Sequence, residues 1–287
     1  MAKAEKAGTE VANVKAGALA VPSFMDMADF GAGFEGADKD SYAIPFLQIL
    51  QKMSPMVDED SPKHLAGAKA GMIFNTVTQS LYDVREKPLE IIQCAYKRSF
   101  ILWGARDGDG GFKGEVTPEE LDRIIASGAV ENVGGKVLVK DADGKVDAKK
   151  SDYYADTRSH YVIVIDPETG DPTPAILSLA SSQIKASKML LTSLQQRKVD
   201  TPSGKRTPPT FASKVKLTTV TMQNDQGTWA GAKFEIEREL IADVDLFNVA
   251  KEFYQSVQSG AAKADYSKAA DAGDSSVSST AQQADGF

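Results

Sequence analysis

The chain has 287 residues, 42% hydrophobic and 25% charged, with a formal net charge of −7. That length makes one large domain or two ordinary ones, and the balance is that of a chain that buries a core, not of a solvated or fibrous one. No apolar run approaches the ~20 residues that cross a bilayer, and the opening "MAKAEKAGTEVANVKAGALAVPSF" lacks the continuous apolar stretch of a secretory signal. No membrane partner is therefore expected, and the protein is read as cytoplasmic.

Residues 1–40 are rich in Ala, Gly, Lys and Asp without periodicity and read as a disordered arm, with Phe24, Phe30 and Phe34 scattered along it. Order is expected to begin at "SYAIPFLQILQKMSP", where Ile44, Phe46, Leu47, Ile49, Leu50 and Met53 form a short apolar face before Pro55. "GMIFNTVTQSLYDV" and "PLEIIQCAYKRSFILW" carry the β-branched and aromatic residues of strands. Cys94, the lone cysteine, sits in the second of these and reads as a small buried hydrophobe.

A Gly- and Asp-rich stretch, 105–157, reads as an insertion between strands. It holds one helix, "VTPEELDRIIASG", with Thr117 as cap, Pro118 in the first turn, Glu120 completing a capping box and Gly128 as the stop. A hairpin is expected over "KVLVKDADGKV". Strands follow at "SHYVIVID", "TPAILSLA", "SKVKLTTVTMQN" and "TWAGAKFEIEREL", the last two joined by a turn at "NDQG".

A second helix, "SSQIKASKMLLTSLQQRK", places Ile184, Leu190, Leu191 and Leu194 on one side and Lys185, Lys188, Thr192 and Gln196 on the other. The third, "VDLFNVAKEFYQSVQ", spaces Leu246, Val249, Phe253 and Val257 helically. After Gly260 the pattern ends, and 260–287 reads as a disordered acidic tail. The sum is a β-rich α+β domain over 41–259, with about three helices and a flexible segment at each end.

Enzyme signatures are sparse. His64 and His160 are the only histidines, which excludes a histidine metal cluster, and His160 opens an apolar strand as a partly buried imidazole does. "GDGGFKG" lacks the Gly-Lys-Ser/Thr ending of a phosphate loop, and "DADGKVD" puts Lys145 and Val146 where a calcium loop needs a ligand and a glycine. No cofactor, metal site or catalytic residue is expected, although scattered carboxylates leave a metal-dependent recombination nuclease as an alternative.

Nucleic acid is the better prospect. From Gln183 to Lys216 there are eight cations (Lys185, Lys188, Arg197, Lys198, Lys205, Arg206, Lys214 and Lys216) against one acid, Asp200, a window of +7 that leaves −14 for the rest. In "SKVKLTTV" Val215 and Leu217 point one way and the two lysines the other. Single strands are held by such cations together with rings on which bases stack. In "CAYKRSFILW" alternation sends Tyr96, Arg98 and Phe100 to one face and Trp103 to the other, and one of the two faces must meet the core. Tyr153, Tyr154, Phe211 and Trp229 are further candidate rings.

The chain closes on "SSVSSTAQQADGF", a solvated run with its one large apolar side chain last. A β-rich body, a cationic segment and a tail ending in acid and Phe resemble the single-stranded DNA-binding proteins of bacteria and their phages, as do "IPFLQILQKMSP" and "GMIFNTVTQSLYDV". The resemblance implies an OB-like barrel elaborated by the insertion, a non-enzymatic, phage-encoded protein in the bacterial host cytoplasm, and a role coating strands in DNA replication or recombination. It further implies that Phe287 and Asp285 dock replication or recombination proteins. Its tails, however, cluster their acids, whereas Asp271, Asp274 and Asp285 are spread here. A homodimer is admitted, and a virion or scaffold component is the remaining alternative.

Overall fold

The computed structural model describes residues 22, 24–37, 42–105, 110–225 and 227–271. Two long strands carry the architecture: β4 (Leu89–Trp103) and β8 (Tyr153–Ile165) pair antiparallel from Ile91↔Val164 to Trp103↔Tyr153, with a register shift between Gln93 and Ala95. Such a shift bends and twists the strand that carries it. Around this pair run β1 (Phe46–Ile49), β2 (Ile73–Asn75), β3 (Leu81–Tyr82), β9 (Pro172–Ala180), β12 (Lys214–Asn224) and β13 (Gly227–Ile236), in the order β13-β12-β4-β8-β9-β1-β2-β3. Along that path only β1 and β9 are parallel. The sheet curls into a half-barrel, so the β-rich α+β class expected from the sequence is the class observed.

Both faces of the curl are apolar. Inside, Leu47, Ile73, Leu89, Ile91, Val162, Leu177, Val215 and Leu217 meet Leu190 and Leu194 of α2 (Ile184–Gln196). Outside, Ile92, Tyr161, Ile163 and Ile176 meet Ala250 and Phe253 of α3 (Val244–Gln258). A sheet covered on both sides needs apolar residues at every position, which is why "YVIVI" in β8 runs without alternation. Each fully buried Leu or Ile there contributes roughly 1.5–3 kcal/mol.

Among the described residues backbone pairing does not close the barrel, and two side-chain amides bond to the edge of β13 that β12 leaves open. Gln51 accepts the Ala230 N–H at 2.9 Å and donates to the Ala230 carbonyl at 3.1 Å. Gln183 accepts the Ala232 N–H at 2.8 Å and donates to the same Ala230 carbonyl at 2.8 Å. The Ala230 N–H and carbonyl and the Ala232 N–H are thereby withheld from pairing with a foreign strand.

The 105–157 insertion extends the sheet. β5 (Phe112–Val116) adds to β4, and β7 (Lys136–Val139) adds to β8 through Leu138↔Tyr153. Its helix, α1 (Pro118–Ala126), has the expected capping box, Thr117 Oγ1 accepting from the Glu120 N–H at 3.2 Å and Glu120 accepting from the Thr117 N–H at 2.7 Å. The expected "KVLVKDADGKV" hairpin is not formed. β7 instead pairs with β6 (Val130–Val133) across Gly134 and Gly135, whose φ of 59° and 80° supply the left-handed turn that two-residue hairpins need. Asp141 folds the "DADG" stretch on itself, its carboxylate accepting from the N–H groups of Asp143 and Lys145.

The C-terminal boundary also differs from expectation. Past Gly260 the chain forms α4 (Tyr266–Asp271), and Tyr266, 2% exposed, packs against Phe46 and Phe112 with its hydroxyl bonded to Ser159. Gln48 donates to the Ala269 carbonyl at 3.2 Å. One tyrosine in a run of Ala, Lys and Asp anchors the segment, too small a signal for composition to register. In the N-terminal arm the described residues 24–37 are turns and one 3₁₀ turn, Met27–Asp29, with Phe24, Phe30 and Phe34 all exposed. Asp285 and Phe287 lie outside the described residues. Among those described, no helix is long and apolar enough to cross a membrane.

Candidate nucleic-acid interface

α2 begins at a sharp corner. Ser181 takes φ 51°, a left-handed conformation uncommon outside glycine, and turns β9 into the helix so that Gln183 meets β13. Helical spacing then buries Ser187, Leu190 and Leu194 and leaves Lys185, Lys188, Met189, Thr192 and Gln196 exposed.

A buried polar strut holds this helix to the sheet. His160 Nε2 lies 2.7 Å from Ser187 Oγ, and Nδ1 lies 2.8 Å from Gln93 Oε1. Gln93 Nε2 donates to the Ala95 carbonyl, so its oxygen faces the ring; Nδ1 therefore carries the proton and Nε2 accepts from the serine. Burial, aided by the nearby Arg158 charge, lowers the His160 pKa to about 3, which keeps the ring neutral. The partly buried imidazole expected from sequence is in fact fully buried. The order Ser187–His160–Gln93 has the connectivity of a nucleophile, base and orienting group, but all three are at most 1% exposed. Their role here is to join helix and sheet.

Beyond α2, β10 (Val199–Thr201) and β11 (Gly204–Arg206) form a small separate hairpin. Lys198, Lys205 and Arg206 are exposed on or beside it, Lys198 donating to Thr207 Oγ1 at 2.5 Å. With Lys185 and Lys188 they make five exposed cations in no ion pair among the described residues.

The remaining three cations of the window do not join them, so the single track from Lys185 to Lys216 is not formed. Arg197 is structural, its guanidinium donating to Ser213 Oγ at 2.9 Å and to the carbonyls of Glu237 and Arg238. Lys214 and Lys216 do alternate with Val215 and Leu217, as read from sequence, but that places them on the outer face, across the sheet from α2. There Glu90 pairs with Lys214 at 2.9 Å and Glu237 with Lys216 at 3.4 Å.

The aromatic candidates sort by face. Cross-strand pairing puts Tyr96 beside His160, Arg98 beside Arg158, Phe100 beside Asp156 and Leu102 beside Tyr154, all on the inner side of the curl. Tyr96, Phe100 and Tyr154 are half-buried and Arg98 is exposed. The Tyr96 ring lies 5.4 Å from the His160 ring that Ser187 holds, so this open face begins where α2 meets the sheet.

Trp103, on the reverse face, is 5% exposed and packs against Phe112; Phe211 is 9% exposed among Phe247 and Tyr254. Both are core residues, and neither ring is presented to a base. Tyr153 faces the reverse side beneath Lys136, and Trp229 sits half-buried opposite Met222 on the β12–β13 ribbon. Arg158 was not singled out from the sequence, yet alternation in "YYADTRSHY" places it in step with Tyr154 and Asp156. Among the described residues, no three His, Cys, Asp or Glu side chains are grouped to hold a metal ion.

A family model described as Pam3 phage gp34-like protein matches residues 14–263. The chain belongs to this family. The Pam3 phage gp34-like region takes in the whole curled sheet, α2, the β10–β11 hairpin and α3, and ends ahead of Tyr266. Membership makes the chain a phage-type protein, in keeping with the phage character expected from its sequence. No curated protein and no solved structure matches it.

Proposed function

We propose that this phage-family protein binds single-stranded DNA, coating strands exposed during replication or recombination in the host cytoplasm, as a binding protein and not an enzyme. The observation that carries the reading is the set of five exposed cations in no ion pair among the described residues, Lys185, Lys188, Lys198, Lys205 and Arg206, following one another in sequence along α2 and the β10–β11 hairpin. Beside the buried side of the same helix opens a face of half-buried rings, Tyr96, Phe100 and Tyr154, with Arg98. Cations that follow a phosphate chain and rings that take unstacked bases are the two parts of a single-strand site. The overall charge of −7 does not oppose this, because phosphates respond to the local field.

The deciding experiment is a fluorescence-anisotropy titration of labelled single-stranded and duplex oligonucleotides at two salt concentrations. Preference for the single strand and a steep fall with salt support the reading. No binding at low salt overturns it, and strand loss with magnesium or manganese would turn it toward a nuclease. Phe287 and Asp285 are the proposed docking group for replication or recombination proteins, an apolar ring beside an acidic side chain. Removing both should abolish capture of such partners and leave DNA binding intact.

A further inference from the structure

The geometry points to a phosphate subsite built from Arg98 and Arg158 on the open face of β4–β8, with Asp156 as the internal counter-ion that a strand phosphate competes against. The inference rests on the single-strand reading above and adds the place where the strand is gripped.

Two guanidiniums share one carboxylate. Arg98 Nε and Nη2 donate to Asp156 at 3.2 and 2.9 Å, and Arg158 Nη2 donates to the same Oδ2 at 2.9 Å. The trio therefore carries one net positive charge. On the reverse face of β4, by contrast, Lys97 is matched by Glu115 of β5 at 2.9 Å. The carboxylate of Asp122 on α1 also acts on Arg98, so it is a second internal anion beside Asp156.

The Arg158 side chain is 12% exposed, and its third donor group, Nε, is buried with no acceptor among the described residues. Its Nη1 donates to Tyr96 Oη at 2.9 Å, which fixes the fork in place. That buried nitrogen is out of a strand's reach, so the exposed Arg98, with Nε and Nη2 on Asp156, is the arm that meets a phosphate, whose several acceptor oxygens suit the planar fork of arginine. Arg98 lies over the Phe100 ring at 5.1 Å, and Tyr96 and Tyr154 are half-exposed around it. A phosphate held here would have its neighbouring bases among rings, which only an unstacked strand can offer.

The test compares wild type with Asp156→Asn, Arg98→Gln and Phe100→Ala. The probes are labelled oligothymidylate and an abasic strand of equal length, with inorganic phosphate as a competitor. Thermal melts first establish that each variant is folded, and Arg98→Lys replaces Arg98→Gln if that variant is not. Asp156→Asn should tighten both strands several-fold and steepen the salt dependence by about 0.7 for each additional phosphate neutralised. Arg98→Gln should weaken both. Phe100→Ala should weaken oligothymidylate roughly 5- to 150-fold and leave the abasic strand unchanged.

Inorganic phosphate that competes as well as the strand does would assign the subsite to free phosphate and overturn the strand assignment. Wild-type binding that all three variants leave unchanged would overturn this inference alone. Absence of oligothymidylate binding by wild type overturns the function reading and this inference with it.

Discussion

His160 Nε2 accepts a hydrogen bond from Ser187 Oγ at 2.7 Å, joining the central strand β8 to the helix that carries Lys185 and Lys188. The pair sets both the stability of the domain and the seating of its cationic helix. Ser187→Ala leaves the buried ring nitrogen without a donor, and the expected cost is about 1–3 kcal/mol, read as a lower urea midpoint. The m-value should not change.

The same imidazole makes the fold acid-sensitive. Its pKa falls from 6.5 in an open chain to about 3 in the fold. Between those values the unfolded state holds a proton that the native state does not, so stability rises with pH across that window. The His160 contribution is complete above pH ~6.5 and drains away as pH drops toward about 3, on the order of a few kcal/mol in total. Urea titrations from pH 7 to 4 should show this loss, and a flat profile would mean that His160 is protonated in the native state.

The division of the cations gives a sharp contrast in salt dependence. Replacing Lys185, Lys188, Lys205 and Arg206 by Ala should lower the slope of log affinity against log salt by about 0.7 for each phosphate no longer neutralised. Lys214→Ala and Lys216→Ala remove lysines already paired with Glu90 and Glu237, and the slope should stay where it was. Equal effects from the two sets would contradict the placement of the interface on α2 and its hairpin.

Tyr266 should behave as a core residue. Tyr266→Ala is expected to destabilise by about 3–5 kcal/mol, as large aromatic truncations in cores do, and to open the chain after Gly260 to limited proteolysis. Tyr266→Phe keeps the ring against Phe46 and Phe112 and loses only the bond to Ser159, a cost nearer ~1 kcal/mol.

Gln183 and Gln51 predict a local signature. Gln183→Ala leaves the Ala232 N–H without its acceptor, so hydrogen exchange at Ala232 should speed up while exchange in the middle of β8 stays slow.

Local rules reached far into this chain. Thr117 and Glu120 marked the start of α1 because a capping box is written in residues three apart, and alternation in "KVKLTTV" correctly separated Val215 and Leu217 from the two lysines. Periodicity likewise placed Lys185 and Lys188 on the outer side of α2 and put Tyr96, Arg98 and Phe100 on one face.

Partnership was decided elsewhere, between residues distant in the chain. Glu90 neutralises Lys214 from 124 positions away, and Tyr266 reaches Ser159 across 107. Arg158 matters only because β8 lies beside β4 and so brings it to Arg98 and Asp156. Charge counts, periodicity and caps act over a few residues and are written in the chain itself. Whether a cation is free, a ring is covered or a histidine is dry depends on which strands meet when the sheet curls.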